Sequence, residues 1–139
     1  AQADYEKALE LDDTNAEAYL SLADVYIRQG EYDKAQELLE SALKFEPDNP
    51  AILDSMAWVL FRRKEYSKAQ EYIRKALAAS PSSPDPVILD HAGDIYSALG
   101  DRKKAAEFWK RALETYSPEL DTGNVLRKLR DPQNAAVKP

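Results

Sequence analysis

A repeat of 34 residues constrains the fold of this chain more than any other feature of its sequence. Large and small apolar residues follow one another in the same order in each copy, and the third copy comes after a slightly longer loop. A chain that repeats at this length folds as a stack of similar units, because one such unit cannot bury its apolar face alone. The matching positions are Tyr19, Leu22, Ala23, Tyr26, Gly30, Ala35, Leu39, Ala42 and Pro47 in the first full copy, Leu53, Met56, Ala57, Leu60, Lys64, Ala69, Ile73, Ala76 and Pro81 in the second, and Leu89, Ala92, Gly93, Tyr96, Gly100, Ala105, Trp109, Ala112 and Ser117 in the third.

Each copy is predicted to hold two helices. Its apolar residues are spaced as on one helix face, and no strand-like alternation occurs. Gly30 and Gly100 divide the first and third copies, because glycine readily takes the left-handed conformation that ends a helix. Lys64 stands at this position in the second copy, where the same conformation should cost about 0.5–1 kcal/mol. The predicted helices are 2–12, 16–29, 32–46, 50–63, 66–79, 86–99, 102–115 and 122–130.

Helix starts are also indicated. Thr14 with Glu17 is predicted to form a capping box before the second helix. The pairs Asn49–Pro50 and Asp85–Pro86 each place a capping side chain before a proline at the first helical position.

This pattern resembles that of the tetratricopeptide repeat family, over residues 1–119. The resemblance implies an all-α, right-handed superhelical solenoid of antiparallel helix pairs, with about three and a half repeats and a C-terminal capping helix. The chain is then a single domain, in which Val125 and Leu129 cover the last repeat. The expected divisions are a half repeat at 1–15, full repeats at 16–49, 50–83 and 86–119, a capping helix at 120–132 and a frayed tail at 133–139.

A narrower resemblance concerns the source. The second and third full copies, followed by a helix containing RKL, look like the C-terminal repeats of bacterial envelope proteins of this family, many of them lipoproteins. This implies a bacterial protein whose parent is periplasmic or membrane-tethered, with a cytoplasmic location left open. Because the sequence starts without Met and lacks the pattern of a signal peptide, we expect it to be a piece of a longer protein.

Composition excludes several function classes. The net charge of −6 and the pI near 4.9 argue against a nucleic-acid partner, which usually requires a basic face. No cysteine is present to form disulfides or thiolate metal sites. No apolar run is long enough for a membrane-spanning helix, so we expect no membrane insertion.

Catalytic chemistry is not expected. A weak metal site can be drawn from Asp90, His91 and Asp94, but one helix supplies too few ligands, and a structural or surface role for His91 is favoured. No glycine-rich phosphate loop or nucleophile elbow occurs. We therefore expect a protein that is not an enzyme and has no metal or cofactor.

The expected binding surface is the concave face, which the first helix of each repeat lines in this family. Trp58 and Phe61 lie off the packing stripe of their helix, so they either pack under a neighbouring repeat or anchor a partner. Nearby carboxylates favour a protein or peptide partner with apolar and basic residues. The candidate partner-binding residues are Leu20, Asp24, Ile27, Arg28, Asp54, Trp58, Phe61, Arg62, Asp90 and Asp94.

The sequence thus predicts a protein–protein interaction scaffold that captures a peptide or helix in its concave groove. The alternative is a structural spacer or an oligomerisation module without a peptide ligand, and homo-oligomers are compatible with either role. A part in a larger enzyme is the remote third possibility.

Overall fold

The chain folds into a row of α-helices. A computed structural model describes residues 2–12, 15–80, 84–115 and 117–131, and in these residues it contains eight helices and no strand. The expected frayed tail, 133–139, lies outside the described residues. No helix of the described part is long and apolar enough to cross a membrane. The helices are α1 (Gln2–Leu11), α2 (Ala16–Gln29), α3 (Tyr32–Phe45), α4 (Pro50–Arg62), α5 (Tyr66–Ala79), α6 (Pro86–Ala98), α7 (Arg102–Leu113) and α8 (Thr122–Arg130).

Side-chain caps set the start of the first helix in each pair. Asn49 accepts hydrogen bonds from the backbone N–H groups of the first turn of α4, and Asp85 does the same for α6. In α2 the cap is Asn15, whose Oδ1 accepts from the N–H of Ala18 at 3.1 Å. The predicted cap at Thr14 is therefore placed one residue too early, and Thr14 itself lies outside the described residues.

The turn inside each helix pair has the same left-handed geometry. Gly30 and Gly100 have φ of 80° and 89°, and Lys64 adopts φ of 65° at the equivalent position. In all three turns the next residue donates its N–H to a carbonyl near the end of the preceding helix, as in a Schellman motif. Lys64 thus keeps the left-handed conformation that glycine holds in the other two turns, so the expected cost of that conformation applies.

Small residues bring the helices together. Ala23 and Ala57 on the first helices, and Ala35 and Ala69 on the second helices, are fully buried. In the third pair the small residue is Gly93, where an added Cβ would lie 2.7 Å from Cε2 of Trp109. Close helix approach at these positions lets the larger apolar residues fill the spaces between ridges.

The two ends of the array are packed differently. Val125 of α8 is fully buried and Leu120 is nearly so, while Leu129 packs against the same core from a half-buried position. Helix α8 thus packs on the last pair through Val125 and Leu129. Helix α1 packs on α2 but contains no buried residue.

Candidate functional site: the concave face

The first helices of the three pairs form the inner surface of the array. Helix α2 contacts α4, and α4 contacts α6, in addition to the contacts that each makes with its own partner helix. Direct packing between successive first helices places them on the shorter, concave side of the curve. The residues that this face presents are the candidate site.

Three aromatic side chains lie together near the middle of this face. The rings of Trp58 and Phe61 stack at 4.9 Å between centroids, and Trp58 stacks on the imidazole of His91 at 4.0 Å. Trp58 and Phe61 are half-buried and pack against the core from one side. Each ring therefore contributes to packing and also leaves a surface for contact. We call Trp58, Phe61 and His91 the aromatic cluster.

The aromatic cluster is held by a polar contact between two helices. Nδ1 of His91 on α6 lies 2.8 Å from Oδ1 of Asp54 on α4 and 3.1 Å from its Oδ2. Asp54 is only 8% exposed, so it serves as an internal partner of His91 and presents little surface to a ligand. Burial alone would lower the pKa of His91, but the charge and hydrogen bond of Asp54, with the charges of Asp90 and Asp94, outweigh burial and raise it.

A second polar contact joins α8 to the concave face. Nζ of Lys128 lies 2.7 Å from Oδ1 of Asp90 and 2.6 Å from Oδ1 of Asp94. All three side chains are about 15% exposed, and Lys128 also lies 5.3 Å from the ring centroid of Trp109. Burial raises the pKa of Asp94, although the ammonium of Lys128 opposes this effect.

These pairings bear on the metal site that the sequence allows one to draw from Asp90, His91 and Asp94. The two carboxylates hold an ammonium group, and the imidazole holds a different carboxylate. No group of three or more such side chains in the described residues is arranged to bind a metal ion.

The candidate residues of the first pair are less uniform. Leu20 is half-buried, while Asp24 and Arg28 are exposed and form an ion pair one helical turn apart at 3.0 Å. Ile27 is only 5% exposed, so the expectation that its side chain is available to a partner on the concave face is wrong. Its side chain belongs to the apolar core, because the end of α2 is covered by the next pair. Arg62, at the end of α4, is exposed and lies 5.9 Å from the ring centroid of Tyr32.

An open cleft extends the aromatic cluster towards α8. It encloses about 420 Å³ and has Phe61, Ala98 and Trp109 on its walls, with Arg127 and Asn124 at its rim. The cleft therefore combines a small apolar surface with several polar and charged groups.

Sequence reasoning missed two residues of this face. The sequence favours a structural or surface role for His91, and it assigns no role to Lys128. The repeat does contain a signal for His91. His91 lies one position later in its repeat than Asp54 lies in the preceding repeat, and successive first helices meet there. Lys128 gave no such signal, since α8 is not a copy of the repeat.

Comparison with known proteins identifies the repeat. Two sequence models described as tetratricopeptide repeat match the chain, one over residues 1–59 and the other over residues 51–83 and 88–117. No curated protein sequence matches it in a direct search.

Solved structures give the same result. The first TPR domain of the human RPAP3 protein is 26% identical with a TM-score of 0.73, over 87% of this chain and 92% of that chain. The first TPR of Spaghetti (RPAP3), bound to the HSP90 peptide SRMEEVD, is 25% identical with a TM-score of 0.73, over 91% and 97%. A thermophilic TPR protein of Thermus thermophilus shares the fold at 20% identity, with a TM-score of 0.79 over 93% and 71%.

Proposed function

Because the chain belongs to the tetratricopeptide repeat family, we propose that it is a non-catalytic scaffold that binds a peptide or helix of a partner protein on its concave face. The family is generally a protein-interaction fold without catalytic activity. A structural neighbour of this chain is bound to a peptide, which supports the same class of function here.

The observation that carries the proposal is the partial exposure of Trp58 and Phe61. Both rings are stacked and held in place, so little conformational freedom is lost when a partner covers them. Rigid aromatic side chains at the centre of a surface are the usual origin of binding hot spots. They are the expected anchor for an apolar side chain of the partner.

Charge on this face defines a second feature of the partner. Asp24 is exposed. The two carboxylates of Asp90 and Asp94 carry more negative charge than the single ammonium of Lys128 between them can neutralise. This local excess of carboxylates favours a partner that carries Lys or Arg near its apolar residue. Added salt should weaken such binding, because exposed charges are screened.

Selection of peptides from a random phage library on the immobilised protein tests the proposal. The recovered peptides should contain an apolar residue and a basic residue. The Trp58→Ala variant should lose about 2 kcal/mol or more of their binding free energy. Tyr72→Ala is the matched control, because Tyr72 is also a half-buried aromatic residue but lies on α5, a second helix. Its binding should match that of the wild type.

The competing role is a spacer or an oligomerisation module. If no peptide is recovered, or if Trp58→Ala binds the recovered peptides as well as Tyr72→Ala does, the concave face is not the binding site. Circular dichroism of both variants would show that they remain folded.

A further inference from the structure

The two nitrogens of the His91 imidazole differ in their contacts: Nδ1 is fixed by both oxygens of Asp54, and Nε2 has no hydrogen bond within the described residues. The His91 side chain is 18% exposed. Within that same part, the one fully buried side-chain nitrogen or oxygen without a partner is Nε1 of Trp109. Nε2 of His91 is therefore not fully buried, and a small ligand atom can reach it.

Asp54 determines which nitrogen of His91 titrates. A carboxylate accepts a hydrogen bond, so Nδ1 keeps its proton whether the ring is neutral or charged. The second proton is added to and lost from Nε2. The accessible nitrogen is consequently a hydrogen-bond donor in the charged ring and an acceptor in the neutral ring.

The surrounding charges favour the donor form. Asp54 on α4 and Asp90 and Asp94 on α6 are carboxylates, and Lys128 on α8 is the cation beside them. Three carboxylates against one ammonium favour a proton on His91. This agrees with the raised pKa of the imidazole.

We infer that His91 is a specificity-determining residue of the concave face, whose Nε2–H donates a hydrogen bond to an oxygen of the bound peptide. The inference rests on the proposed function. Because the imidazole stacks on Trp58 at 4.0 Å, the donor lies directly beside the apolar anchor. The ligand it selects has an apolar side chain for Trp58 and Phe61, with a carbonyl or carboxylate oxygen next to it.

The direction of the pH dependence follows from this geometry. Below the pKa of His91, Nε2 carries a proton and can donate to the peptide oxygen. Above that pKa, the lone pair of Nε2 faces the lone pairs of the same oxygen and the hydrogen bond is lost. Binding is therefore strongest at acidic pH and weakens as the pH rises through the pKa of His91.

The free protein provides the first test, since it contains a single histidine. The two imidazole nitrogens should be followed by ¹⁵N NMR as a function of pH. Nδ1 should stay protonated throughout, while Nε2 titrates above the ordinary midpoint of about 6.5. In Asp54→Asn the midpoint should fall. A ring in which Nδ1 titrates, or a midpoint unchanged by Asp54→Asn, overturns the inference.

Binding is tested with two small probes, N-acetyl-leucine methylamide and N-acetyl-leucine. The first offers only carbonyl oxygens and the second adds a carboxylate, so the two probes distinguish the sources of the acceptor. Chemical-shift changes at the indole of Trp58 and the imidazole of His91 give the dissociation constant. For at least one probe, affinity should fall about three- to tenfold between pH 6 and pH 9, the range expected for one hydrogen bond.

His91→Gln is the matched control, because the amide of Gln can donate a hydrogen bond but does not titrate. Its affinity for the probes should not depend on pH. Equal affinity of the wild type at both pH values overturns the role of His91, even where Trp58 still responds and the groove is a binding site. The role of His91 is also overturned if neither probe changes the chemical shifts at either pH. The proposed function is tested separately, by the phage selection.

Discussion

Lys64 holds a backbone conformation that glycine holds in the other two helix pairs. Its φ of 65° is unfavourable for a residue with a Cβ, and the space around the equivalent Gly30 and Gly100 is open. Lys64→Gly should therefore stabilise the protein by about 0.5–1 kcal/mol in urea unfolding. Gly100→Ala is the reciprocal control and should destabilise it by a similar amount. A loss of stability in Lys64→Gly would contradict this interpretation of the turn.

Gly93 is small because Trp109 occupies the space of its missing side chain. The indole is 1% exposed and cannot swing into solvent to admit a Cβ. Gly93→Ala should lower the free energy of unfolding by roughly 1–3 kcal/mol, the usual cost of overpacking a core. Gly123→Ala serves as the control, since a Cβ there comes no closer than 3.6 Å to its nearest neighbour. If Gly93→Ala and Gly123→Ala have similar melting temperatures, the core around Gly93 can accommodate the added methyl group and the prediction is wrong.

The helices can be predicted from the sequence, whereas the polar contacts between them cannot. All eight helices of the described part begin where the sequence predicts, because prolines, caps and apolar spacing act within a few residues. Several helices end one or two residues earlier than predicted, because their last predicted residues belong to the left-handed turn or the C-cap. Ile27 could not be placed from spacing, because its burial depends on how α2 meets the next pair.

The contact of Asp54 with His91 shows the same limit. It depends on the register between two helices, at residues 37 apart in the chain, which the repeat implies only approximately. The contact of Lys128 depends on α8, which lies outside the repeat pattern. Both contacts are long-range, so local sequence signals carry little information about them.

Helix α8 is predicted to be held to the array by Lys128 as well as by apolar packing. Lys128→Met keeps most of the side-chain volume but leaves Asp90 and Asp94 without their cation. We expect a loss of about 2–3 kcal/mol at neutral pH in urea unfolding, and faster amide exchange in α8. The loss should shrink as the pH falls, because protonation relieves the repulsion between the two carboxylates.

Arg127→Met is the control for this change, because Arg127 is exposed and lies on the same helix. It should alter stability by less than about 0.5 kcal/mol. If Lys128→Met is no less stable than Arg127→Met, the ion pairs do not hold α8.

The charges on the concave face do not favour the kind of peptide that a structural neighbour binds. That neighbour holds the acidic peptide SRMEEVD. Here Arg28 and Lys128 already pair with carboxylates of their own chain, and Asp24 is exposed. We expect no micromolar binding of SRMEEVD in isothermal titration calorimetry, with the Spaghetti domain as positive control. Micromolar affinity would contradict this prediction, because it would show that the carboxylates of the concave face do not repel an acidic peptide.

We propose that a partner binds across the concave face at Trp58 and Phe61. Hydrogen–deuterium exchange of the protein, with and without a phage-selected peptide, would locate the bound partner. We predict protection concentrated in α4 and α6, at the aromatic cluster, with α3 and α5 unchanged. Protection confined to the second helices, or to α1, would place the binding surface elsewhere and contradict the claim.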